Sequence, residues 1–178
     1  MARSSAPETP GPRTLAVLRL VRYDRTVFER FERAVVRLGW KAAIRNRETG
    51  HLSFKNTLVH ILNVHEAWVV AVAQGKWEIF DEPDRRPDAV ASWALFRRYR
   101  NRVWAAEDAF LAGLTDARLQ RRVRAPWMRG RYTLEDAFLQ ISFEQAHHLG
   151  EIIGAFWQMD RSPPVMTWIE NQPQARRR

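Results

Sequence analysis

The sequence predicts an all-α fold, a four-helix bundle with one long crossover between the third and fourth helices. Three observations carry this prediction. Four long stretches place apolar residues at helical spacing, and capping or breaking residues bound each of them. The chain has 178 residues, a length that suits one domain. Hydrophobic residues make up 46% and charged residues 28%, which excludes a largely disordered chain.

The first stretch runs from Thr14 to about Leu38. Val21, Phe28 and Val35 recur every seven residues, and Phe31 and Leu38 share their face. Asp24 falls on the same stripe, where an acid is either a helix-end residue or a site residue. Residues 45–52 break the pattern with Glu-Thr-Gly. Ser53 then serves as the N-cap of a second helix reaching about Gln74, with Gly75 past its end. Residues 76–88 form a loop holding Pro83 and Pro87. Asp88 is placed to cap a third helix from about Ala89 to Leu111, with Leu95, Tyr99, Arg102 and Ala106 at helical spacing and Gly113 beyond it. Residues 114–132 are the least regular, and the stretch 121–132 suits a short hairpin with Gly130 in its turn. Thr133, with Asp136 three positions on, resembles a capping box and opens a fourth helix ending near Met159. Ser162-Pro163-Pro164 begins an extended segment that Trp168 and Ile169 pack back on the body. The expected organisation is a disordered arm over 1–12, the bundle over 13–170 and a basic tail over 171–178.

Composition narrows the chemistry. Cysteine is absent, which rules out disulfides, zinc fingers, iron–sulfur clusters and a cysteine nucleophile. No apolar run approaches the roughly 18 residues of a spanning helix, so no membrane partner is expected. The Met-Ala-Arg-Ser-Ser-Ala-Pro start has no apolar core of a secretory signal, and a cytoplasmic location is the expectation. Against 20 acidic residues stand 29 basic ones, a net charge of +9. Arg118, Arg121, Arg122, Arg124, Arg129 and Arg131 form one cluster and Arg176–Arg178 another. Such charge suits nucleic acid or an acidic ligand, but no nucleic-acid motif accompanies it, and a solvated basic surface is the simpler reading. The eight tryptophans and nine phenylalanines suit a homodimer contact. No phosphate-binding loop and no Gly-x-Ser-x-Gly elbow occurs.

The strongest chemical signal is Glu144-Gln145-Ala146-His147-His148 in the fourth helix. Residues four apart lie about 40° apart around a helix, so Glu144 and His148 are neighbours on the face carrying Ala137, Ile141, Ile152, Ala155 and Met159. His147 points to the other side. An acid and an imidazole one turn apart can chelate one cation. The second signal is His60-Ile-Leu-Asn-Val-His65, in a helix whose buried side is marked by Ile61, Val64, Trp68 and Val72. Either histidine could supply a third ligand, and spacing does not choose between them. Three ligands from two helices leave an open coordination position, as catalytic sites do. Two His and one carboxylate suit non-haem iron and other first-row divalent ions. Against this stands the commoner role of a histidine near an apolar face, a hydrogen-bonded core residue.

Ser53-Phe-Lys-Asn-Thr-Leu-Val-His60-Ile-Leu-Asn-Val-His-Glu-Ala-Trp68 resembles the second-helix signature of the DinB/YfiT-like family. Glu144-Gln-Ala-His147-His148-Leu-Gly150-Glu-Ile152 resembles its His-x-x-x-His-x-Gly-Gln-Ile segment, and Asp160-Arg-Ser-Pro-Pro its paired-proline loop. The resemblance covers roughly residues 14–170. It implies an up-down-down-up bundle whose three histidines hold a divalent metal such as nickel or zinc. By position the first ligand is His60 and the last His148; the middle one falls on Glu144, where the family has histidine. A site of His60, Glu144 and His148 would hold zinc, nickel, iron or manganese, with metal preference altered by the carboxylate. The resemblance further implies a metal-dependent hydrolase, or a transferase using a low-molecular-weight thiol such as bacillithiol or mycothiol on a small-molecule substrate. The family name reflects damage-inducible expression, hence a stress-response setting. Asp24, Tyr23 and His65 are then candidate acid–base or ligand-orienting groups. The competing class is a non-enzymatic binding module with a degenerate metal site and a basic surface for nucleic acid or a protein partner.

Overall fold

The computed structural model describes residues 9–171, so most of the arm and nearly all of the basic tail lie outside the described residues. Among the described residues six α-helices make up the all-α fold: α1 (Pro12–Arg37), α2 (Trp40–Ile44), α3 (Phe54–Glu66), α4 (Trp93–Leu111), α5 (Asp116–Leu119) and α6 (Leu134–Trp157). A π-helical segment, Ala67–Val72, continues α3. Two short strands, β1 (Arg122–Val123) and β2 (Tyr132–Thr133), pair antiparallel, with Arg122 opposite Thr133. The long crossover from α4 to α6 holds α5 and this hairpin.

Local chemistry sets the ends. Pro12 opens α1, where a missing N–H costs nothing. The Ser53 side chain accepts from the Asn56 N–H at the start of α3. Thr133 and Asp136 form a complete reciprocal capping box on α6. Gly130 takes φ 95° in the hairpin turn, a value that favours glycine. The third long helix begins later than its sequence suggests. Residues 87–89 make only a 3₁₀ turn, and Ser92, not Asp88, caps α4 by accepting from the Leu95 N–H. Two candidate caps lie four residues apart, and Val90, buried between them, ties that turn to the core.

Helix α6 packs on α1 and α3, and α3 packs on α4. The interior divides into two apolar clusters. One gathers Phe28, Phe31, Leu58, Leu62, Phe96 and Leu149. The other gathers Val21, Trp68, Phe110, Leu119, Phe138 and Ile141. Between them, at one level of the bundle, each long helix contributes a buried polar residue: Asp24, His65, Glu107 and Gln145. Trp168 packs edge-on against Tyr23 at 4.9 Å, bringing the C-terminal segment back to the body, whereas Ile169 stays exposed.

Candidate metal centre

His60 stands at the middle of α3 and His148 in the second half of α6, and their ring centroids are 4.5 Å apart. A third imidazole joins them from outside the helices. His51 stacks on His60 at 3.8 Å and meets His148 edge-on at 4.7 Å. One ligand atom from each of His51, His60 and His148 lies within 4.8 Å of the others. The turn before α3 fixes His51 through its own backbone. The Arg47 N–H donates to the Leu52 carbonyl at 2.7 Å, and the Leu52 N–H to the Thr49 carbonyl at 2.9 Å. Gly50 lets this turn lie close on α6, since a Cβ there would stand 3.1 Å from Glu151 Oε1.

Electrostatics prepares His51 and His60 as neutral lone-pair donors. Burial, with His51 and His148 beside it, pushes the His60 pKa down to about 4. Burial and His148 also lower that of His51, against the pull of Glu151 and Glu144. Neither ring makes a hydrogen bond among the described residues, so both keep lone pairs for a cation. His148 Nδ1 lies 3.2 Å from Glu151 Oε2; with the proton on Nδ1, its N–H donates there and Nε2 keeps a lone pair. That lone pair faces Glu144 Oε2 at 3.5 Å. Two acceptors so placed are reconciled by a shared proton or cation. The donor set therefore fits a divalent metal.

Glu144 borders the cluster without joining either group of three potential ligands. Its other carboxylate oxygen accepts from Gln140 Nε2 at 2.7 Å, and no arginine pairs with it among the described residues. His147 is exposed, as helical arithmetic requires, and forms a second group with His148 and Glu151 along the surface of α6. His51 was not among the residues picked from the sequence. The signal was its place two residues before the cap of the helix that carries His60.

A cleft of about 380 Å³ opens beside the cluster, lined by His60, Glu144, Trp68, Phe80, Trp127 and Arg85 among others. Trp127 comes from the basic crossover and meets Trp68 edge-on at 5.9 Å. The π segment supplies Trp68, and such widened turns recur at functional sites. Glu66 holds the polar wall. It accepts from Arg85 at 2.6 Å, Tyr99 at 3.0 Å and Arg102 at 3.2 Å.

The remaining sequence candidates lie elsewhere. His65 is wholly buried. Gln145 donates its amide N–H to the Asp24 carbonyl at 2.9 Å, which turns its oxygen toward His65 Nε2 at 3.3 Å. His65 Nδ1 faces Glu107 at 3.1 Å. Both ring nitrogens therefore face acceptors and both donate, which makes His65 an imidazolium. Burial opposes that charge, but Glu107, Asp24 and Gln145 together outweigh it and raise the pKa. Burial likewise works against the Glu107 carboxylate, which His65 and Arg25 nevertheless hold below its ordinary range. Arg25 Nε donates to Glu107 at 2.7 Å. Asp24 is pushed up to about 6, first by burial and also by Glu107, while the Ser142 hydroxyl and His65 pull it down. Tyr23 is raised by burial and by Asp24. Tyr23 and Asp24 line a separate pocket that shares no residue with the cleft at His60.

Residues 23–152 match the family model of the DinB superfamily. Among curated proteins, none matches the chain. No helix is long and apolar enough to cross a membrane.

Proposed function

This chain belongs to the DinB superfamily, and on that premise we propose that it is a divalent-metal-dependent enzyme, a hydrolase or a low-molecular-weight-thiol-dependent transferase. The observation that carries the reading is the meeting of three imidazoles, two of them free of hydrogen bonds among the described residues, at the mouth of an aromatic-walled cleft. His60 and His148 are the proposed ligands shared with the sequence reading. His51 completes a three-nitrogen set that suits zinc or nickel. Glu144 stands beside this set, where its carboxylate can add a ligand or accept a proton from a group entering the cleft. A cation held there supplies Lewis acidity to an oxygen or sulfur donor of the substrate or cosubstrate.

The chain's own residues do the rest. Glu151 fixes the His148 ring through Nδ1. Trp68, Trp127 and Phe80 offer apolar walls that shed water around a bound substrate. With no cysteine in the sequence, the thiol of a transferase reaction comes from the cosubstrate. His65 is proposed to act from the interior by fixing Gln145 and Glu107, and Asp24 and Tyr23 act at their own pocket.

The test is equilibrium dialysis against zinc and nickel, followed by a panel of thiols and esters with the loaded protein. Wild type should bind one equivalent, His60→Ala and His148→Ala should each lose it, and His147→Ala should keep it. Turnover with a thiol and an electrophile marks a transferase, and ester cleavage without thiol marks a hydrolase. Failure of wild type to bind either metal would overturn the reading in favour of the binding module.

A further inference from the structure

On the side of α6 facing α1, a pocket of about 210 Å³ is lined by Leu20, Tyr23, Leu139, Phe143, Ala146 and Met166, with Asp24, Ser142 and Gln145 also at its wall. Its lining is apolar apart from this polar corner. Asp24 is 2% exposed, so it is the one charged group in the lining and it is sunk beneath the apolar rim. Ser142 donates its hydroxyl to Asp24 Oδ2. Asp24 Oδ1 accepts no hydrogen bond and makes no ion pair among the described residues. A buried carboxylate with one satisfied oxygen lacks a donor, and preferably a positive one.

We propose that this pocket binds a compact organic ammonium, its apolar body between Leu139, Phe143 and Met166 and its N–H groups on the free oxygen of Asp24. The volume admits such a body, because an apolar cavity of roughly 150 Å³ takes up benzene. Charge selects the head group. The imidazolium of His65 is already committed to Glu107 and Gln145, and Arg25 to Glu107, so neither serves Asp24 Oδ1 directly. A neutral alcohol would donate one hydrogen bond but bring no positive charge to the carboxylate, and an anion would be repelled. Burial that raises the Asp24 carboxyl is the same cost a bound cation would relieve.

Benzylammonium is the probe, with benzyl alcohol and benzoate as its neutral and anionic counterparts, titrated at neutral pH into the full chain and followed by amide chemical shifts. Saturable binding of benzylammonium, with shifts centred on Tyr23, Asp24, Ser142 and Phe143, is the expected result. Benzyl alcohol should bind roughly tenfold more weakly or worse, because charge-assisted hydrogen bonds are the stronger class. Asp24→Asn should erase the preference for the ammonium. Ala146→Phe, which fills the mouth from an exposed helix position, should abolish binding and leave zinc uptake at the other site unchanged. The Ala146 variant and the wild-type comparison of probes decide the matter even if Asp24→Asn fails to fold. Equal affinity for alcohol and ammonium, no saturation up to about 10 mM, shifts centred elsewhere, or undiminished binding by Ala146→Phe would each overturn the proposal.

Discussion

Replacing Asp24 with asparagine should stabilise the protein at neutral pH and remove part of its pH dependence. In the fold the carboxyl titrates at about 6, against an ordinary value of 3.8. Between those values the folded protein binds this proton and the unfolded chain does not. The group's contribution to stability is therefore fully present below the ordinary value and is lost as pH rises through about 6. At about 1.36 kcal/mol for each tenfold change in proton affinity, that displacement corresponds to about 3 kcal/mol. Asparagine keeps the volume, can still bond Ser142, and carries no charge to desolvate. Urea denaturation of both proteins should show the variant more stable by about 2–3 kcal/mol near neutral pH, with the gap narrowing by the same amount toward about pH 4. Titrating groups common to both proteins largely cancel in this comparison. A gap that stays constant over that range, or that widens as pH falls, would refute the argument that Asp24 pays its desolvation in the folded state.

Glu107→Gln should act in the opposite sense. It strips the carboxylate from both His65 and Arg25, and breaking a buried ion pair costs about 3–5 kcal/mol, measurable as a lowered urea midpoint. Phe28→Ala removes a fully buried ring that stacks on Phe96 and meets Trp104 edge-on at 5.4 Å, and should cost about 3–5 kcal/mol in the same assay. Glu144→His replaces an anionic oxygen with a neutral nitrogen beside the three imidazoles. Competition titrations should then show zinc gaining over manganese, and an unchanged preference in a folded variant would mean Glu144 does not touch the metal.

Helix identity was legible because helical periodicity and caps are written into neighbouring residues. The α1 stripe through Val21 and Phe28, Ser53 before α3, and the Thr133–Asp136 box all act within a few turns. The pairing of His60 with His148 could be drawn from their motifs, and the outward turn of His147 followed from its phase on α6. His51 could not be placed that way. It lies in a turn whose path depends on hydrogen bonds among residues 47–53 and on Gly50 meeting Glu151 of a helix about a hundred residues away. Spacing also left His65 open as a third ligand, whereas it is enclosed by groups from three other helices. The charge of that ring depends on Glu107 and Gln145, each of which is unremarkable within its own helix. Local sequence fixes which face a side chain occupies, because the backbone repeat is short-ranged; what faces it, and so its charge and its ligand, depends on how separate helices pack, which only the tertiary structure decides.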